Sequence, residues 1–134
     1  MGTIVVGYVP KPEGKAALQR AAEEAKLRDS RLVIVNSHRG GREFDSEDAI
    51  ESEAQLQEVK NELQGHGVEF DIRQLVRGMD PAEDLVNVAT EVDADLIVIG
   101  LRRRSPVGKL ILGSNAQRVL LDAPCPVLAV KAVS

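Results

Sequence analysis

The chain is poor in the residues that most often announce a function. Of its 134 residues, one is cysteine (Cys125), one is tyrosine, two are phenylalanine and none is tryptophan. A single cysteine cannot close an internal disulfide, which agrees with a cytoplasmic setting. Flanked by Pro124 and Pro126 at a strand entrance, with no neighbouring His to lower its pKa, it reads as buried rather than reactive. The three aromatics, Tyr8, Phe44 and Phe70, are too few to form a stacking platform for bases. Excess positive charge is missing as well. Lys and Arg number 17 against 21 Asp and Glu, a net charge of -4. General binding to nucleic acid or to an anionic membrane is therefore not expected. No apolar run approaches the roughly 18 residues that span a bilayer. The N-terminus enters a strand at once, which predicts no signal peptide.

Chemical motifs are scarce too. His38 and His66 stand alone without metal-ligand spacing, so no metal site is expected. There is no Gly-x-Ser-x-Gly elbow and no phosphate-binding Gly-x-x-x-x-Gly-Lys-Ser/Thr loop. No general base, nucleophile or metal carboxylate set stands out, so no catalytic residue is assigned and the chain is not expected to be an enzyme.

What is present is a regular alternation of apolar strands and amphipathic helices. Hydrophobic residues make up 43%, mostly aliphatic, as suits helices packed on a parallel sheet. The length fits one domain spanning residues 1–134. Ile4 to Val9 reads as a strand. Glu13 to Arg28 is an amphipathic helix with apolar residues at Ala17, Leu18, Ala21, Ala22, Ala25 and Leu27, and Pro12 suits its first turn. Leu32 to Val35 is a second strand, and His38 to Asp45 a polar loop. Ala49 to Leu63 is a Glu-rich helix with Gly65 as its C-cap, most simply a solvent-facing acidic surface. Val68 to Val76 alternates as a strand exposed on one face or lying at an edge. Asp80-Pro81-Ala82-Glu83 is a helix start: Asp80 caps, Pro81 loses no needed donor and Glu83 can reach back. That helix runs to about Val92. Leu96 to Ile99, continuously apolar, is a central strand. Ser114 to Leu121 is the fourth helix and Pro126 to Val130 the fifth strand. Five strands alternating with four helices imply one parallel sheet with helices on both faces, an α/β three-layer sandwich.

The segment from Gly100 to Asn115 carries the most chemistry. A buried strand empties into a loop holding Arg102, Arg103, Arg104 and Lys109, which opens a helix at Gly113-Ser114. Helix N-termini present unpaired N–H groups with partial positive charge, so such a junction can hold phosphate. Ligands in open α/β sheets bind beyond the carboxyl ends of strands where the strand order reverses. The first and fourth strands, if neighbours, bring Tyr8 to Lys11 against this loop. Two plainer readings stand beside this one. Ser114 with Gln117 makes a capping box that needs no ligand, and three consecutive arginines are often solvated charge.

Several segments together resemble the universal stress protein family over essentially the whole chain. They are Thr3 to Gly7, Pro12 to Leu18, Val76 to Glu83, Ala94 to Gly100, Gly113-Ser114 and Ala123 to Val130. The resemblance implies an adenine nucleotide alpha hydrolase-like fold with strand order 3-2-1-4-5. It also implies a cytoplasmic homodimer paired through the last strand. Val127 to Lys131 is itself an apolar edge strand of the kind that invites pairing. The function implied is regulatory binding of an adenine nucleotide, ATP or AMP, with magnesium possible alongside ATP.

The nucleotide-binding branch of the family carries Gly-x-x-Gly, nine residues, then Gly-Ser or Gly-Thr. Here the first glycine is Gly100 and the final pair Gly113-Ser114, while the middle glycine is replaced by Arg103. The aspartate that usually ends the family's first strand is replaced by Val9. On this basis Gly100, Gly113, Ser114 and Asn115 are expected at phosphate and ribose. Arg102, Arg103 or Arg104 would offset phosphate charge, and Val9 and Pro10, with Val35 or Asn36, would line the base pocket. The two replacements motivate an alternative, a dimeric interaction module without nucleotide in which Arg103 fills the phosphate site. A nucleotidyl transferase on the same fold is weaker, since Pro10 to Glu13 offers no His-containing phosphate motif.

Overall fold

The computed structural model describes residues 2–9, 11–38, 46–76, 80–101 and 113–132. Its elements are β1 (Thr3–Gly7), α1 (Pro12–Arg28), β2 (Arg31–His38), α2 (Ser46–His66), β3 (Phe70–Val76), α3 (Pro81–Glu91), β4 (Leu96–Leu101), α4 (Ser114–Asp122) and β5 (Val127–Lys131). The five strands form one sheet in the order β3-β2-β1-β4-β5, and every adjacent pair is parallel. This is the adenine nucleotide alpha hydrolase-like arrangement that the resemblance implies.

Period-two alternation along the strands divides the core into two layers. Ile4, Val6, Leu32, Ile34, Leu96 and Val98 face α1 and α2, where they meet Ala17, Leu18, Ala21, Ala22 and Ala25 of α1 and Val59 and Leu63 of α2. Val5, Val33, Val35, Ile97 and Ile99 face the other way, onto Leu85, Val88 and Ala89 of α3 and Val119 of α4. The alanine face of α1 lets that helix lie close to the sheet; Leu27, read as apolar with that face, is 79% exposed instead, because it falls off the stripe in the last turn. Burial of the strand residues is nearly complete, and both faces of the centre are covered, which is why β1 and β4 read as continuous apolar runs.

Element boundaries depart from the sequence reading for identifiable reasons. β2 continues through Asn36, Ser37 and His38 because these pair with Gln74, Leu75 and Val76 of β3. Backbone pairing to an edge strand needs no apolar side chain. β3 begins at Phe70 rather than Val68, and it does lie at an edge. Gly65 is not the cap of α2: the helix runs past it to His66, and Gly67 takes the left-handed conformation at φ 70°. β1 stops at Gly7, before Tyr8 and Val9. The polar stretch 39–45 lies outside the described residues.

Candidate functional site

Because every strand-to-strand connection in a parallel sheet is a crossover, each helix starts at the carboxyl edge of the sheet. β1 leads through α1 to β2 on one side, while α3 returns the chain to β4 on the other. The strand order therefore reverses between β1 and β4, where α/β proteins place ligands.

A crevice of about 170 Å³ opens there. Its floor is Gly7, Tyr8 and Val9 from the end of β1, Ile99 and Gly100 from β4, and Val35 from β2. The first turns of three helices complete it: Glu13 and Gly14 of α1, Pro81, Ala82 and Leu85 of α3, and Asn115, Ala116 and Val119 of α4. Aliphatic side chains dominate this lining, with Glu13 and Asn115 as its polar residues; Tyr8 borders it too, but its ring packs in the α1 and α2 layer.

Two glycines set how closely the walls approach. A Cβ on Gly14 would lie 1.8 Å from the Val9 carbonyl oxygen. One on Gly100 would lie 2.0 Å from the Glu13 carbonyl oxygen. Both obstacles are backbone, so only glycine lets the first turn of α1 rest against the ends of β1 and β4. Gly100 thus has a packing role whether or not a ligand is bound. The Val9 carbonyl also accepts a hydrogen bond from the Lys11 N–H at 2.8 Å, and the Tyr8 N–H donates to Val35 at 2.9 Å. These bonds hold the chain as it leaves β1.

The N-termini of α3 and α4 differ in chemistry. At α3, the Asp80 carboxylate accepts from the Ala82 N–H at 3.1 Å, the capping bond expected from the sequence. Glu83 does not reach back to complete a capping box. It pairs instead with Arg118 of α4 at 3.2 Å, and the other arm of Arg118 meets Asp80 at 2.8 Å. The reason is tertiary: α4 places a guanidinium beside the first turn of α3, and a charged donor outcompetes a backbone N–H. At α4, the cap residue is Gly113, with extended backbone and no side-chain capping hydrogen bond. The Ser114–Gln117 capping box of the sequence reading is therefore not formed, since Ser114 is already the first helical residue. The first turn of α4 also contains no acidic residue.

Of the residues expected from sequence, Val9, Val35, Gly100 and Asn115 line the crevice. Val9 is 40% exposed. Asn36 is buried, but strand alternation turns it toward the α1 and α2 layer, away from Val35. Gly113 and Ser114 open α4 without belonging to the lining. Pro10, Arg102, Arg103, Arg104 and Lys109 lie outside the described residues. Sequence reasoning missed Gly14 and the whole α3 wall. The wall had a signal, since the Asp80-Pro81 helix start must fall at the carboxyl edge once the sheet is parallel. Gly14 had none, because a glycine in a first helical turn does not announce what presses on it.

Two titratable groups are perturbed near this region or beside the sheet. Burial, helped by Glu58 and Glu62 of α2, pushes the Tyr8 phenol above its ordinary value. Cys125 is half-buried rather than buried as expected; burial first, then Asp95, raises its thiol, which disfavours the thiolate. Among the described residues no group of three or more His, Cys, Asp or Glu side chains could hold a metal. No described helix is long and apolar enough to cross a membrane.

Comparison with known proteins agrees with this geometry. Residues 1–131 match the model of the universal stress protein family. A universal stress protein of Mycolicibacterium smegmatis is 49% identical over 128 residues, covering 96% of each chain. A universal stress protein structure from Archaeoglobus fulgidus superposes with a TM-score of 0.85 at 42% identity, covering 98% of this chain and 99% of that one. A second structure from that organism, a complex with dAMP, superposes with a TM-score of 0.79 at 36% identity, covering 98% of both. The chain belongs to the universal stress protein family.

Proposed function

We propose that this chain is a regulatory protein that binds an adenine nucleotide, ATP or AMP, in the crevice between β1 and β4. The observation that carries the reading is the α4 terminus. It opens beside the crevice, and among the described residues no side chain caps it and no acid stands in its first turn, so its N–H groups and dipole suit a phosphate. Gly113, Ser114 and Asn115 would take the phosphate and ribose, with Gly100 close by. Val9, Val35, Leu85 and Ile99 supply an aliphatic slot for the base. The dAMP complex of the Archaeoglobus fulgidus relative supports the ligand class. Among the described lining residues there is no paired acid and base and no nucleophile, which favours binding over turnover. A homodimer paired through β5 in the cytoplasm completes the proposal. β5 is an edge strand with Val127, Leu128 and Val130 half-buried, and Leu121 of neighbouring α4 is 83% exposed.

Calorimetry with AMP and with ATP, with and without magnesium, tests the reading. Saturable heat at micromolar to millimolar nucleotide is the expected result, and none at millimolar concentration refutes it. One feature favours the second reading, an interaction module without nucleotide. Val9 presents an aliphatic surface at the crevice, and its side chain cannot hydrogen-bond a nucleoside. In that case light scattering would still show a dimer while calorimetry stays flat.

A further inference from the structure

The first turn of α3 is acidic where it borders the crevice. Asp80 and Glu83 flank Pro81 and Ala82, which line the crevice wall, while Asp84 is buried. Glu13 of α1 is also a lining residue. An anionic ligand entering here meets a negative rim, and the α3 terminus is already used by Asp80. Arg118 is the counterweight. Its guanidinium holds Asp80 at 2.8 Å and Glu83 at 3.2 Å, and also approaches Asp122 at 4.0 Å. It sits one turn beyond Ser114 on the same face of α4, and helical side chains lean toward their own N-terminus. A positive charge is thereby held against the acidic turn of α3, on a residue one helical turn from the terminus of α4.

We infer that Arg118 is a specificity-determining residue for the crevice: by neutralising Asp80 and Glu83, it makes the α3 wall tolerant of anionic ligands. The inference rests on the nucleotide-binding reading above and adds the residue that grades affinity by ligand charge. Arg118 need not touch the ligand. Its effect is electrostatic, through water and the crevice mouth, so it scales with ligand charge and is screened by salt.

The test compares adenosine, AMP and ATP as ligands of the full chain by calorimetry at low and high salt. Arg118→Met is expected to leave adenosine affinity within about twofold, to weaken AMP about fourfold and to weaken ATP about tenfold, near twofold per effective charge. These losses should shrink at high salt. Glu83→Gln is expected to act in the opposite direction, strengthening ATP more than adenosine. Arg118→Lys, which keeps the charge without the planar fork, should retain the wild-type ranking. Asp71→Asn, in a surface ion-pair cluster with Arg31 and Arg73, serves as a control that changes net charge elsewhere. Equal losses for all three ligands in Arg118→Met would overturn the inference, because a clamp that merely holds two helices together ignores ligand charge. No change for any ligand would overturn it as well. If wild-type protein binds none of the three, the nucleotide reading itself fails and this inference falls with it; binding by the wild type without charge grading in the variants refutes Arg118 alone.

Discussion

The N-termini of α3 and α4 sit at the same edge of the same sheet and border the same crevice, yet they are finished in opposite ways. That of α3 is closed. Asp80 accepts from the Ala82 N–H, Pro81 removes a donor, and Arg118 pairs with Asp80 and Glu83. That of α4 is open. Gly113 contributes no side chain and no acid follows in the first turn. A helix terminus satisfied by its own side chains contributes stability, typically about 1 kcal/mol for a good cap. One left unsatisfied forgoes that stability and keeps the capacity to bind an anion. The difference separates a structural end from a candidate ligand-binding end, although both present the same backbone amides.

The third terminus, α1, sets the stage for both, and disturbing it has the largest expected effect. Gly14→Ala would gain up to about 1 kcal/mol of helix propensity. The clash of its Cβ with the Val9 carbonyl opposes this, and overpacking against backbone should win, for a net loss of about 2 kcal/mol. Denaturant unfolding would measure it, and nucleotide binding should be lost with the displaced wall. A neutral or stabilised variant would show that α1 is not wedged against β1.

Closing and opening the two ends should have smaller effects of opposite sign. Asp80→Ala removes both the cap and the Arg118 contact at α3, for a loss of about 1–2 kcal/mol. Asp80→Asn, which still caps, should lose only a few tenths of that scale. If the two variants unfold alike, the ion pair rather than the cap carries the stability of this end. Gly113→Asp would finish α4 as α3 is finished. Gly113 has φ -68° and ψ 163°, a conformation that any residue adopts at a cap. Thermal unfolding should show a gain of about 0.5–1 kcal/mol, while AMP affinity falls because the new carboxylate occupies the N–H groups. Stability and affinity moving together would contradict the contrast between an open and a closed terminus.

How much of this was readable in advance differs between fold and site. All nine elements follow from apolar periodicity, and β3 announces its edge position by alternating where β1 and β4 do not. Asp80 as a cap was legible because Asp-Pro at a helix start has a local mechanism. The capping box at Ser114 and Gln117 was not a sound reading, although its residue types are right. Whether a Ser caps depends on where the helix begins, and α4 begins one residue too early for it. Glu83 was misassigned for a different reason: its partner, Arg118, is 35 residues away.

The sequence by itself determined the class of fold, the order of its elements and the existence of a glycine-to-helix junction after β4. Periodicity and turn chemistry are local properties, and a parallel sheet leaves few ways to connect them. Only the tertiary structure decided which face each site residue takes and what limits it. Val35 joins the crevice while Asn36 turns away, Gly14 and Gly100 are required by carbonyls from distant segments, and one arginine neutralises the end of another helix. Those are contacts between residues far apart in the chain, and steric and electrostatic terms of that kind have no local signature.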